Sequence, residues 1–151
     1  MTEAYVHRKG EYTLLDVLER VRRNPEVWKA GAIIVFIGVV RGETLNGGRV
    51  KRLSVEAYEE GTNRVLAEII DDLESREGIV DVQIHHLTGE FDVGDELVYV
   101  AVAGRHRDQI FPVLREAIER YKSEAPIFKK ESIVDDKGEE KTYWVSEKDF
   151  T

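Results

Sequence analysis

Residues 31–41 read GAIIVFIGVVR, an apolar run with no charge until Arg41. Its length is far short of the ~18–20 apolar residues that a membrane-spanning helix needs. Isoleucine and valine dominate it, and β-branched side chains favour extended backbone. A continuous rather than alternating run suits a strand buried on both faces. Such a strand needs partners on its edges and apolar cover above and below. Gly38 within it marks a bend or a close approach by another backbone.

The rest of the chain supplies that cover. TLLDVLERVRRNP predicts a first helix capped by Thr13, with Leu14, Leu15, Leu18 and Val21 on one face and Pro25 beyond its end. Asn46-Gly47 is a tight-turn pair, and VKRLSVEAY after it alternates apolar and polar residues, so the two runs are expected to be neighbouring antiparallel strands. Thr62 is a candidate cap for a second helix whose stripe is Val65, Leu66, Ile69, Ile70 and Leu73, ended by Gly78. IVDVQIHHL and ELVYVAVAG predict two more strands joined through a turn near TGEFDVGD. A third helix is expected from a cap at Asp108 to about Lys122, with Pro112 in its first turn. Pro126 drives Ala125 out of the helical region and so ends it. DDKG reads as a turn and KTYWVS as a last strand. Strand pairs interrupted by helices, without repeats or linkers, indicate one α+β domain over residues 1–151. Trp28 and Trp144 are expected to be core or interface aromatics.

Composition narrows the chemistry. The 151 residues include no cysteine, which excludes disulfides, thiolate metal sites and a cysteine nucleophile. The polar start, MTEAYVHRKGEY, has no apolar signal segment, and a cytoplasmic protein is expected. A net charge of −8 disfavours nonspecific binding to nucleic acid. Charge is unevenly spread, however: Arg105–Lys130 carries seven Lys/Arg against four Asp/Glu, a local +3 in a chain otherwise at −11. An island of that size suits a small anion.

Within the island, Lys122 falls in the last turn of the third helix, and Lys129 follows seven residues later, after the Ala-Pro bend. A helix end and a returning strand can bring both amines to one pocket. If IFKKESI is extended, Lys129 and Glu131 share a face and Lys130 points away. Lysine becomes a usable acid, base or nucleophile when other cations or burial lower its pKa from ~10.4. Cations that merely complement a helix C-terminus are the plainer reading of the same residues. RHRD, at a strand end before a helix, joins His106 and Arg107 to free backbone N–H groups, a combination suited to phosphate. Arg41, read alone, is a strand terminator that reaches solvent. His85 and His86 are adjacent in a strand and so face opposite ways, a poor start for a metal site.

Taken together and in order, the F-x-G-x-V-R strand end (Phe36 to Arg41), the His106-Arg107 pair and K-x-x-x-P-I-x-K-K-E (Lys122 to Glu131) resemble the large, catalytic subunit of molybdopterin synthase over about residues 31–131. The resemblance implies a hammerhead-like α+β fold with an antiparallel or mixed sheet and about three helices. It implies sulfur transfer from the C-terminal Gly-Gly thiocarboxylate of a small ubiquitin-like subunit to precursor Z, a cyclic pyranopterin monophosphate. The product is the dithiolene of molybdopterin, in molybdenum cofactor biosynthesis. The large subunit would pair with itself, one small subunit on each copy, in a heterotetramer. The step needs no cofactor and no metal. By motif match Lys122 and Lys129 would be catalytic, and Arg41, His106 and Arg107 would bind the substrate's anionic group. Phe36 would line the pocket and Glu131 would orient Lys129. His86 is followed by Leu87 where the family often has arginine. A docking module for a Gly-Gly tail that performs no chemistry is the alternative, and exposed strand edges would serve it by strand addition.

Overall fold

A computed structural model describes residues 4–44 and 46–145. Seven strands and three helices follow in the order β1 (Val6–Arg8), α1 (Leu14–Arg22), a 3-10 turn (Val27–Lys29), β2 (Ala32–Val39), β3 (Arg49–Ala57), α2 (Glu59–Glu74), β4 (Ile79–Asp92), β5 (Glu96–Gly104), α3 (Arg107–Glu124), β6 (Ile127–Val134) and β7 (Glu140–Val145). The sheet order is β2-β5-β4-β3-β6-β7, all antiparallel, with β1 added in parallel to β4. The α+β expectation holds. Among the described residues no helix is long and apolar enough to cross a membrane.

The expected pairing of β2 with β3 does not form. β2 pairs with β5, and β3 lies between β4 and β6. β2 is therefore an outer strand, half-buried along most of its length rather than covered on both faces. The strand that meets the fully buried description is β5, which is covered from Leu97 to Gly104 and flanked by β2 and β4.

β4 joins the two halves of the sheet. Residues 79–86 pair with β5, and residues 89–92 pair with β3. The partner changes at Gly89, whose φ of +128° lies where a side chain would strain the backbone. The segment expected as a turn, TGEFD, is thus mostly strand, and Val93–Asp95 makes the turn. Phe91, 1% exposed, anchors this second half.

Facing residues on paired strands share a side of the sheet. Asp81, Gln83 and His85 of β4 face α1, while His86 lies beside Tyr121 of α3, ring centroids 5.9 Å apart. α2 and α3 pack on each other and on this second side. Leu66, Ile69, Ile70, Leu73, Ile110, Val113, Leu114 and Ala117 form the helical half of the core. On the α1 side, His85 is held by hydrogen bonds of 2.9 Å at both ring nitrogens, from His7 and to Gln83, and Gln83 donates to Asp81 at 2.9 Å.

Helix boundaries differ from expectation for local reasons. Thr13 caps α1 as expected, in a reciprocal box with Asp16. α2 begins earlier, after Tyr58, and Thr62 instead sends its hydroxyl to Pro126 O. His106, not Asp108, is the cap of α3, which places Pro112 in the second turn. Neither tryptophan is in the core: Trp28 is 77% exposed and Trp144 58%.

Candidate functional site at the C-terminal end of the third helix

β5 runs toward the start of α3, and α3 returns across it, so the helix C-terminus lies over the first residues of β5. Gly38, Val98 and His86 sit in one row across β2, β5 and β4 there, on the α3 side. Gly38 is required by contact. A Cβ on it would fall 2.5 Å from Val98 Cγ1, and the register of β2 against β5 shifts just after it.

Ala125 is extended, as a residue before proline must be, and closes α3 by donating to Tyr121 O at 3.1 Å. The chain then enters β6, whose alternation buries Lys129 and Glu131 and exposes Phe128 and Lys130. Lys129 is only 8% exposed, unusual for a lysine. Lys122 is half-buried on the last turn of α3. Both lysine charges act on His86: burial first and then the charge of Lys129 hold its pKa down to about 3, the hydrogen bond to the Leu87 carbonyl opposes them, and the charge of Lys122 adds a smaller push down. The helix-end bend thus brings the two lysines within electrostatic reach of one buried ring.

Next to this cluster is a cavity of about 290 Å³ lined by Arg41, Glu131, Leu53, Leu97 and Tyr143, among others. The Tyr143 hydroxyl donates to Glu131, on the same face of β6 as Lys129. Arg41 is exposed at the cavity. Phe36 is half-buried and faces Val100 one row above Gly38 on the α3 side. Arg41 and Glu131 at a cavity walled by both polar and apolar side chains, with Lys129 on the face of β6 that carries Glu131, can hold an anion and move protons beside it.

His106 and Arg107 do not join this group within one chain. They start α3, and sixteen residues at 1.5 Å each set His106 about 24 Å from Lys122. Both are exposed, at the opposite end of the sheet. Missed by the sequence reading was His86 as part of the lysine cluster. The sequence presents it as a poor metal ligand and as the histidine before Leu87 where the family often has arginine, and neither reading connects it with the lysines.

The family model for MoaE protein matches residues 5–124. The chain is 40% identical over 113 residues to the molybdopterin synthase catalytic subunit of Bacillus subtilis (strain 168), covering 75% of this chain and 71% of that one. It is 34% identical over 137 residues to the "Probable molybdopterin synthase" of Haloferax volcanii, 90% of this chain but 51% of that protein, so it spans about half of that relative. A crystal structure of molybdopterin synthase from Staphylococcus aureus matches with a TM-score of 0.78 at 28% identity, over 97% of this chain and 98% of that one. A family model covering most of the chain, with relatives at this identity and coverage, shows that the chain belongs to the MoaE protein family.

Proposed function

We propose that this protein is the catalytic subunit of a molybdopterin synthase. It transfers sulfur from the C-terminal thiocarboxylate of a small ubiquitin-like subunit to precursor Z and so forms the molybdopterin dithiolene. The observation that carries this reading is the burial of Lys129 on the face of β6 that bears Glu131, which lines a cavity together with Arg41. Both reactants are anions, a thiocarboxylate and a phosphate-bearing pterin. Cations fixed in a site of low dielectric offset their repulsion as they approach. Lys122 and Lys129 grip the thiocarboxylate and exchange protons as its sulfur bonds to a pterin carbon; one water then cleaves the acyl C–S bond, and the tail leaves as a carboxylate. Glu131, pinned by Tyr143, keeps the β6 side of the site in place. Phe36, half-buried opposite Val100 on the α3 side, lines the approach to the site.

His106 and Arg107 lie too far along α3 to touch a substrate held by the same chain's lysines. We therefore assign them to the pocket of a second copy in a self-paired assembly, each copy also holding one small subunit.

The test is reconstitution with a thiocarboxylated small subunit and precursor Z, following dithiolene formation. Lys122→Ala and Lys129→Ala should each lower turnover by at least a hundredfold in folded protein. Normal turnover in both would remove the mechanism. Mixing Lys129→Ala with Arg107→Ala chains should restore part of the activity, because one mixed site keeps both intact groups. No restoration would refute the shared site. The outer strand β7, with Tyr143 and Trp144 exposed, is suited to hold a tail without chemistry. Tight binding of the small subunit with no dithiolene formed would favour that docking reading.

A further inference from the structure

His86 is 1% exposed, and its main-chain N–H donates to Tyr5 O at 2.9 Å, so the backbone beneath the ring is fixed. Ring Nδ1 lies 2.9 Å from Leu87 O. A carbonyl can only accept, so Nδ1 carries the hydrogen and Nε2 keeps its lone pair. Nε2 is buried and has no hydrogen-bond partner among the described residues. Buried acceptors in native proteins are nearly always met, and an unmet one calls for a functional or solvent explanation. The charged groups near enough to act on the ring are Lys129 of β6 and Lys122 of α3, and Tyr121 of α3 stands edge-on to it. β1 contributes the Tyr5 carbonyl to its main chain.

We propose that His86 is the positioning residue of the lysine pair: its Nε2 lone pair accepts a hydrogen bond from the Lys129 ammonium, which the flexible stem carries onto it, and this aims the amine at the cavity and keeps it protonated. A buried ammonium loses water and tends to shed its proton. A neutral acceptor opposes that loss without adding charge. Imidazole suits the task because the Leu87 carbonyl fixes its tautomer. Burial and the two neighbouring cations also keep the ring uncharged, with a pKa near 3. The acceptor therefore persists through neutral and mildly acid pH. Only the identity of the substrate rests on the sulfur-transfer reading; the contact between imidazole and amine does not.

The experiment uses the full chain and nitrogen NMR. In the unaltered protein His86 should show a protonated Nδ1 and an unprotonated Nε2 from pH 5 to 9. The Nε2 signal should move when Lys129 is changed to Met. In His86→Phe the Lys129 amine should titrate about one to two units lower, the loss of one hydrogen bond to a charged group. His86→Gln, which returns a carbonyl acceptor, should recover most of that shift. In the dithiolene assay His86→Phe should shift the alkaline limb of the pH–rate profile by the same amount. An Nε2–H tautomer, or an Nε2 signal indifferent to Lys129→Met, overturns the proposal even if His86→Phe fails to fold. So does an unchanged Lys129 titration in folded His86→Phe. Sulfur transfer absent from the unaltered protein would instead sink the functional reading, while the NMR results still decide the contact.

Discussion

Replacing Gly38 with alanine tests why the F-x-G-x-V-R strand end holds glycine. Gly38 is not among the glycines with positive φ, so alanine meets no backbone penalty there and the cost is steric. Its Cβ would lie 2.5 Å from Val98 Cγ1, against an ordinary carbon–carbon contact of about 3.5–4.0 Å. The Val98 methyl must retreat by about 1 Å or more. Valine has few χ1 choices, and Val98 is 3% exposed in a strand flanked on both sides. Overpacking of this kind costs about 1–3 kcal/mol. Stiffening the unfolded chain returns about 0.4–1 kcal/mol. The net destabilisation should be about 0.5–2.5 kcal/mol, read by urea unfolding followed by circular dichroism. Val98→Ala alone should also destabilise, by about 1–3 kcal/mol, through lost burial and a small cavity. In the double variant the new methyl occupies the space that Val98 vacated. The two losses should then fall short of additivity by about 1 kcal/mol or more. Effects that add to within about 0.5 kcal/mol would refute the contact as the reason for the glycine.

Acid should weaken the fold through its buried histidines. Folded-state pKa values of about 3 for His86 and about 2 for His85 lie below the ordinary histidine value of about 6.5, so the unfolded chain binds more protons in between. Stability is whole above pH 6.5 and should fall by about 2 kcal/mol per unit from pH 6 to 5; a flat urea-midpoint profile there would contradict the burial. Asp81, raised by burial, works the other way at lower pH. Phe91→Ala should cost about 3–5 kcal/mol, since Phe91 is 1% exposed where β4 meets β3; a loss below 1 kcal/mol would mean that this half of the sheet packs elsewhere. Arg120 bridges Asp72, Glu116 and Glu124 on the surface of α2 and α3. Arg120→Ala should cost no more than about 1 kcal/mol, and the difference should shrink in 1 M salt.

Local signals in the chain specified its helices well. Thr13 with Asp16 and the stripe of α1 are short-range patterns, and so is the break that Pro126 imposes on α3. The alternation that buries Lys129 and Glu131 while exposing Lys130 was also legible, because strand periodicity is local. Strand partners were not legible. β2 and β3 are consecutive in the chain, yet β5, some fifty residues on, takes the inner edge of β2 and leaves it on the outside. That choice depends on which apolar faces fit together under α2 and α3.

By itself, then, the sequence determined most of the elements, the α+β class and the pair of lysines flanking a forced bend, since each depends on neighbours within a few residues. Tertiary structure alone decided that both lysine charges act on the buried His86 ring, that Glu131 and Arg41 line one cavity, and that His106 and Arg107 stand a helix length away from Lys122. Distances between groups far apart in the chain follow from strand order and from the direction in which α3 crosses the sheet, and no local pattern encodes either.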